Sequence, residues 1–244
     1  MKHYLTVLTL FFFLSHSSHA NNNDEVIVTA SDDSEITIER FAADGDYLIV
    51  MTAPEYGFRD THRDLARLLV KQNIEVWLSN IVTSLFLPQG TNALKQLDGK
   101  YVAEVIEHAH EITGKKIVVS GDSYGAATAL LGARQWQSRK HGNAYLVGAV
   151  LFTPYTFSYI PSLGKAPEYM PVIYSTNIPL MIYQAEISGT TNQFESLLEK
   201  LQQHGNPVYV RQMPGIMSLF YQEPPTREMI RNADLIPGNI KKVI

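Results

Sequence analysis

Residues 116–133 are KIVVSGDSYGAATALLGA, and this stretch decides the fold. The apolar run IVV is typical of a buried strand, a Gly-X-Ser-X-Gly turn follows it, and a small-residue helix pattern comes next. A serine raised on a sharp turn between a strand and a helix leaves room only for glycine two residues before it and two after it. Gly121 and Gly125 occupy those positions. The stretch therefore predicts a strained elbow that projects the Ser123 hydroxyl from the tip of a strand.

On both sides of the elbow, short apolar runs alternate with helical periodicity, which is typical of a parallel sheet covered by helices on both faces. Before these units, two short runs joined by the turn SDDS predict an antiparallel pair. The predicted strands are 26–29, 36–41, 48–52, 74–78, 116–120, 146–152, 178–183 and 207–212. Helices are predicted at 61–72 and 94–113, from the elbow to about 139, and at 193–203. The prediction is an α/β fold with an eight-stranded, mostly parallel sheet.

This order of units resembles the α/β-hydrolase family over nearly all of the chain. An elbow after the fifth strand and an irregular aromatic insert after the sixth belong to the resemblance. It implies hydrolysis of an ester-like or other acyl substrate, with Ser123 as nucleophile and the Tyr124 amide as an oxyanion donor. The second donor would come from the loop TAPEYG after the third strand. Since Pro54 has no amide hydrogen, that donor would be Ala53 or Glu55.

The sequence departs from the family at the two positions that activate the serine. By register, Ser188 stands where the family has an aspartate, and Met217 or Ser218 stands where it has a histidine. Glu186 is the carboxylate nearest to the first position and is a candidate acid. His62, near the start of the first helix, is the histidine expected at the same edge of the sheet and is a candidate base.

Two functions therefore stay open. In the first, the chain is a serine hydrolase, and Asp122, Glu186 or His62 serves Ser123 as an unrecognised partner. In the second, it is a catalytically inactive hydrolase-fold protein that binds a ligand or a protein partner. Loss of a triad member commonly lowers turnover by about 10⁴-fold to 10⁶-fold, so the chemistry favours the second. The aromatic insert at about 153–177 suits a lid, a contact surface or plain packing against the core.

The first twenty residues predict a secretory signal peptide, because a single lysine precedes the apolar run Leu5–Leu14 and a small residue ends the segment. Cleavage is expected after Ala20, and residues 21–244 are expected to form one domain. The expected location is the periplasm or the exterior of a bacterium. No other segment predicts a stable membrane span.

Composition narrows the chemistry further. The 244 residues contain no cysteine, which excludes disulfides and thiolate catalysis. A net charge of −4 without a basic patch argues against nucleic acid as a partner. The sequence also lacks metal-ligand spacing and the glycine-rich loops that hold nucleotide cofactors, so no metal and no cofactor are expected.

Overall fold

The structure is a computed structural model that describes residues 23–140, 145–159, 165–203, 205, 207–222 and 224–243. The expected signal peptide lies outside the described residues, and so does 160–164 within the aromatic insert.

Within the described residues, eight strands form one sheet. They are β1 (Asn23–Thr29), β2 (Glu35–Phe41), β3 (Tyr47–Thr52), β4 (Ile74–Ser79), β5 (Lys116–Asp122), β6 (Leu146–Phe152), β7 (Leu180–Ala185) and β8 (Val208–Met213). Their order across the sheet is β1-β2-β4-β3-β5-β6-β7-β8. The pairs β1–β2 and β2–β4 are antiparallel, and all the others are parallel. The predicted eight-stranded, mostly parallel sheet is confirmed.

The helices are α1 (Asp60–Val70), α2 (Ile81–Ser84), α3 (Thr91–Gln96), α4 (Lys100–Thr113), α5 (Gly125–Lys140), α6 (Phe194–Gln203) and α7 (Arg227–Val243). The single helix predicted over 94–113 is wrong, because α3 and α4 are separate. Gly99 lies between them with φ +90, and this left-handed conformation interrupts the helical backbone before α4 begins.

Helices cover both faces of the sheet. On one face, Ala126, Ala129 and Ala133 of α5 are buried, and their small side chains let this helix pack close to β5. On the other face, α1 and α7 bury Leu65 and Ile240 against the sheet. Helix α7 was not predicted. None of the helices among the described residues is long and apolar enough to cross a membrane.

The site edge of the sheet is set by this topology. Because β3 to β8 run parallel, the loops that follow them lie at the same edge, which is where open α/β sheets hold their ligands. The elbow follows β5 at the middle of this edge, beside the ends of β3 and β6.

Candidate active site around Ser123

The predicted elbow links β5 to α5. Ser123 has φ +53, a left-handed conformation that costs a non-glycine residue on the order of 1–3 kcal/mol. A Cβ at Gly121 would overlap the backbone of Gly125, and a Cβ at Gly125 would lie 2.7 Å from the Ala53 carbonyl oxygen. Both glycines are therefore required for strand and helix to approach.

Three backbone hydrogen bonds hold Ser123 in this conformation. Its amide donates to the Phe152 carbonyl at 3.0 Å, and its carbonyl accepts from the Tyr155 amide at 3.0 Å and the Ala126 amide at 3.2 Å. Neighbouring β6 and the loop after it therefore over-determine the elbow. This is how a strained residue persists in a folded protein.

The Ser123 hydroxyl meets a carboxylate. Its Oγ lies 3.4 Å from Oε1 of Glu55, in the loop after β3, and donates a long hydrogen bond to it. The Glu55 Oε2 atom is buried without a hydrogen-bond partner among the described residues. Burial raises the pKa of Glu55 above its ordinary 4.5, and the nearby Asp122 charge adds to the rise. The Ser123 hydroxyl and the amides of Glu55 and Tyr124 oppose it.

The expected oxyanion donors have different surroundings. The Tyr124 amide acts on the Glu55 carboxylate, as its effect on that pKa indicates. The Ala53 amide instead donates to the Ser79 carbonyl at 3.1 Å, continuing the β3–β4 ladder. Ala53 therefore lacks a free amide hydrogen for an oxyanion, and its expected role does not fit this geometry.

His62 is a core residue of the site edge. Its side chain is fully buried, and its ring is stacked on Phe220, with the centroids 4.0 Å apart and the planes at 8°. Phe58 contacts the same ring edge-on at 5.4 Å. Two aromatic rings therefore fix its orientation.

The nitrogens of His62 both face groups other than Ser123. Nδ1 accepts the Arg59 amide hydrogen at 3.0 Å at the start of α1, and Nε2 lies 3.6 Å from Oδ2 of Asp122. Because the lone pair of Nδ1 is occupied, a neutral ring carries its hydrogen on Nε2, directed at Asp122. Burial raises the pKa of Asp122, and His62 opposes that rise. This geometry does not suit His62 as the base for Ser123, contrary to the expectation.

The three residues at the expected acid and base positions stabilise loops. Glu186 accepts the Gly215 amide hydrogen at 2.8 Å. Ser188 accepts from Gln184 Nε2 at 2.7 Å, and Ser218 accepts from the Phe220 amide at 3.2 Å. Among the described residues, no hydrogen bond joins any of them to Ser123 or to His62, and the role of Glu186 as an acid stays a prediction.

Two residues near the elbow were missed by sequence reasoning. Glu55 was weighed only for its amide, because nothing in TAPEYG shows which way its side chain turns. Tyr221, beyond β8, has a hydroxyl that is buried without a hydrogen-bond partner among the described residues. Burial and the charges of Asp122 and Glu55 raise the pKa of Tyr221, and the Arg59 guanidinium lies 5.1 Å from its ring centroid.

Five cavities of about 110–630 Å³ among the described residues are lined by residues other than Ser123 and Glu55. Exposed large hydrophobic side chains instead occur in the loops after β3, β4, β6, β7 and β8, at the same edge of the sheet. They are Tyr56, Phe86, Tyr159, Ile187 and Met217, and we call them the apolar rim.

Solved structures similar to this chain include esterases. An esterase of Pyrobaculum calidifontis matches with a TM-score of 0.65 and 15% identity, over 90% of this chain and 84% of that one. Thermogutta terrifontis esterase 2 with propionate bound matches with a TM-score of 0.64 and 12% identity, over 91% of this chain and 95% of that one. The same esterase phosphorylated by paraoxon matches with a TM-score of 0.61 and 13% identity, over 89% and 92%.

No family model matches the sequence, and no curated protein matches it. At these identities the structural likeness establishes the fold alone.

Proposed function

We propose that this chain, which has the α/β-hydrolase fold, binds a ligand or a protein partner and does not catalyse hydrolysis. One observation carries the proposal: the Ser123 hydroxyl contacts the Glu55 carboxylate, and no imidazole among the described residues forms a hydrogen bond with Ser123. With the expected signal peptide, we propose that it acts in the periplasm or outside a bacterial cell.

The chemistry of the elbow argues against hydrolysis by Ser123. A serine hydroxyl becomes nucleophilic when a base of suitable pKa takes its proton, and a carboxylate is ordinarily a weaker base than the imidazole that does this in serine hydrolases. Acyl transfer also builds negative charge on the substrate oxygen beside the Tyr124 amide. The Glu55 carboxylate acts on that amide, so its charge opposes the charge of the transition state.

The apolar rim supports a binding role. Exposed hydrophobic side chains scattered singly over a surface are ordinary, whereas several at one edge of a sheet favour binding at that edge. The five rim residues follow five different strands at one edge, and Phe86 is 95% exposed in a left-handed conformation with φ +54. Such side chains offer apolar area to a ligand or a protein partner at the edge where the elbow lies.

A second candidate is a serine esterase that uses Ser123 with an unconventional partner. The strained φ of Ser123 favours it, since the elbow keeps the backbone geometry of a nucleophile. The solved esterases with this fold also support it. A working Ser123 would need Glu55 to move away from the Tyr124 amide.

Hydrolysis of p-nitrophenyl butyrate separates the two candidates. The wild type and Ser123→Ala are assayed together, with Thermogutta terrifontis esterase 2 as the active reference. We expect both forms of this chain to give the same rate as buffer with an inert protein. Turnover that Ser123→Ala abolishes would contradict the binding proposal and establish the esterase.

A further inference from the structure

Half of the buried, unpartnered side-chain atoms found among the described residues lie around the elbow. They are Glu55 Oε2, His62 Nε2, Asp122 Oδ2 and the Tyr221 hydroxyl oxygen. His62 Nε2 and the Tyr221 hydroxyl both act on Asp122, with Nε2 3.6 Å from Oδ2, so these three atoms face one another. Buried polar atoms in native proteins are nearly always hydrogen-bonded, and Glu55 Oε2 is the atom that these contacts leave unexplained. Glu55 is the member of this group whose other oxygen contacts the Ser123 hydroxyl.

The surroundings of Glu55 mostly disfavour its ionised form. The loop after β3 lies against the elbow, which presents Asp122, Ser123 and Tyr124, and against Tyr155 after β6 and Tyr221 after β8. Among the described residues, Glu55 forms no ion pair, and the Arg59 guanidinium is placed over the Tyr221 ring. Its favourable contacts are the Ser123 hydroxyl and the amides of Glu55 and Tyr124.

These favourable contacts are the groups that an oxyanion at the elbow would use. We propose that Glu55 is an internal ligand of the oxyanion subsite, and that a small tetrahedral or planar oxyanion takes its place when Glu55 is neutralised or displaced. The inference rests on the proposed function, in which Ser123 is unreactive while Glu55 occupies the subsite.

An alkylboronic acid is a suitable probe, because it binds a serine without needing a leaving group. A bond forms between Ser123 Oγ and boron, the hydroxyl proton goes to the solvent, and boron becomes a tetrahedral anion. Nothing is oxidised or reduced in this step. One boronate oxygen then needs the Tyr124 amide, which helps to lower the pKa of the Glu55 carboxyl in the resting protein.

Butylboronic acid binding is measured by boron NMR and calorimetry at pH 7.5. We expect Glu55→Ala to bind about tenfold more tightly than the wild type, since it removes both the competitor and a like charge. Glu195→Ala, which removes an exposed carboxylate of α6, should bind as the wild type does. The double variant Glu55→Ala with Ser123→Ala should not bind.

The pH dependence gives a second readout on the wild type. Because the adduct releases a proton, boronate affinity falls in both proteins as the pH is lowered. As the pH falls through the raised pKa of Glu55, the carboxylate is neutralised, and the tenfold ratio between Glu55→Ala and the wild type should shrink towards one. Equal affinity of the wild type and Glu55→Ala at pH 7.5 would overturn the inference. So would binding that persists in the double variant.

An NMR titration covers the case in which Glu55→Ala does not fold. The amide signal of Tyr124 should show a titration step with a pKa above 4.5 in the wild type, and Glu55→Gln should lose that step while keeping any step that comes from Asp122. The same titration steps in both proteins would overturn the inference. Ester hydrolysis by the wild type would instead contradict the proposed function, so the two failures can be told apart.

Discussion

The elbow and the loops around it differ in how closely their residues match the site expected of a serine hydrolase. Residues 121–125 have the left-handed serine, the two flanking glycines and the backbone hydrogen bonds that hold them. In the loops after β3, β7 and β8, Glu55 contacts the Ser123 hydroxyl, Glu186 accepts the Gly215 amide hydrogen, and Tyr221 has a buried hydroxyl. Backbone packing therefore preserves the elbow, and its presence alone says little about chemistry.

The largest expected effect tests whether packing holds the elbow. Gly125→Val places side-chain atoms against the Ala53 carbonyl and should lower the free energy of unfolding by about 3 kcal/mol or more. Gly238→Ala in α7 is the matched control, because a Cβ there meets open space. It should stabilise by up to about 1 kcal/mol. Urea unfolding measures both, and a harmless Gly125→Val would contradict the packing explanation.

The next effect separates a structural histidine from a catalytic one. His62→Ala removes a buried ring stacked on Phe220 and the acceptor for the Arg59 amide, so we expect a loss of about 2–3 kcal/mol in urea unfolding. The half-buried His108 of α4 provides the control, and His108→Ala should cost less than about 0.5 kcal/mol. A stable His62→Ala protein would contradict the structural role.

A smaller effect depends on pH and concerns Asp122. Burial raises the pKa of Asp122, so the folded state holds this proton more tightly than the unfolded state. Stability contributed by Asp122 therefore falls as the pH rises from its ordinary pKa of 3.8 through the raised value. Asp122→Asn removes this fall and should be more stable than the wild type at pH 8.

That advantage should shrink as the pH is lowered towards 4. Thermal unfolding of both proteins between pH 4 and 8 measures it. A constant difference across this range would show that Asp122 does not titrate as described.

The smallest effect concerns the strain at Ser123. With φ +53, this position favours glycine over any residue with a Cβ. Ser123→Gly should therefore be more stable than Ser123→Ala by about 1 kcal/mol. Equal unfolding midpoints for the two variants would indicate that the elbow is relaxed in solution.

Local pattern accounts for what could be predicted from the sequence. The strands on either side of the elbow and the serine between its glycines depend on residues close together in the chain. Helix α7 was missed because Pro237 and Gly238 indicate a break, whereas burial of Met229, Ile236 and Ile240 overrides that local preference.

The contacts of the site could not be predicted in the same way. The direction of the Glu55 side chain, the hydrogen bond that occupies His62 and the position of Tyr221 all depend on residues far apart in sequence. Register along a strand identifies which residue stands at a position, but it does not show what that residue touches.

Labelling by a fluorophosphonate probe tests most directly whether Ser123 is silent. The wild type and Ser123→Ala are incubated with the probe at pH 7.5, and their intact masses are measured. Because Ser123 contacts Glu55, and no imidazole among the described residues forms a hydrogen bond with Ser123, both proteins should keep their unmodified masses. An adduct on the wild type that Ser123→Ala lacks would show that the serine is a working nucleophile.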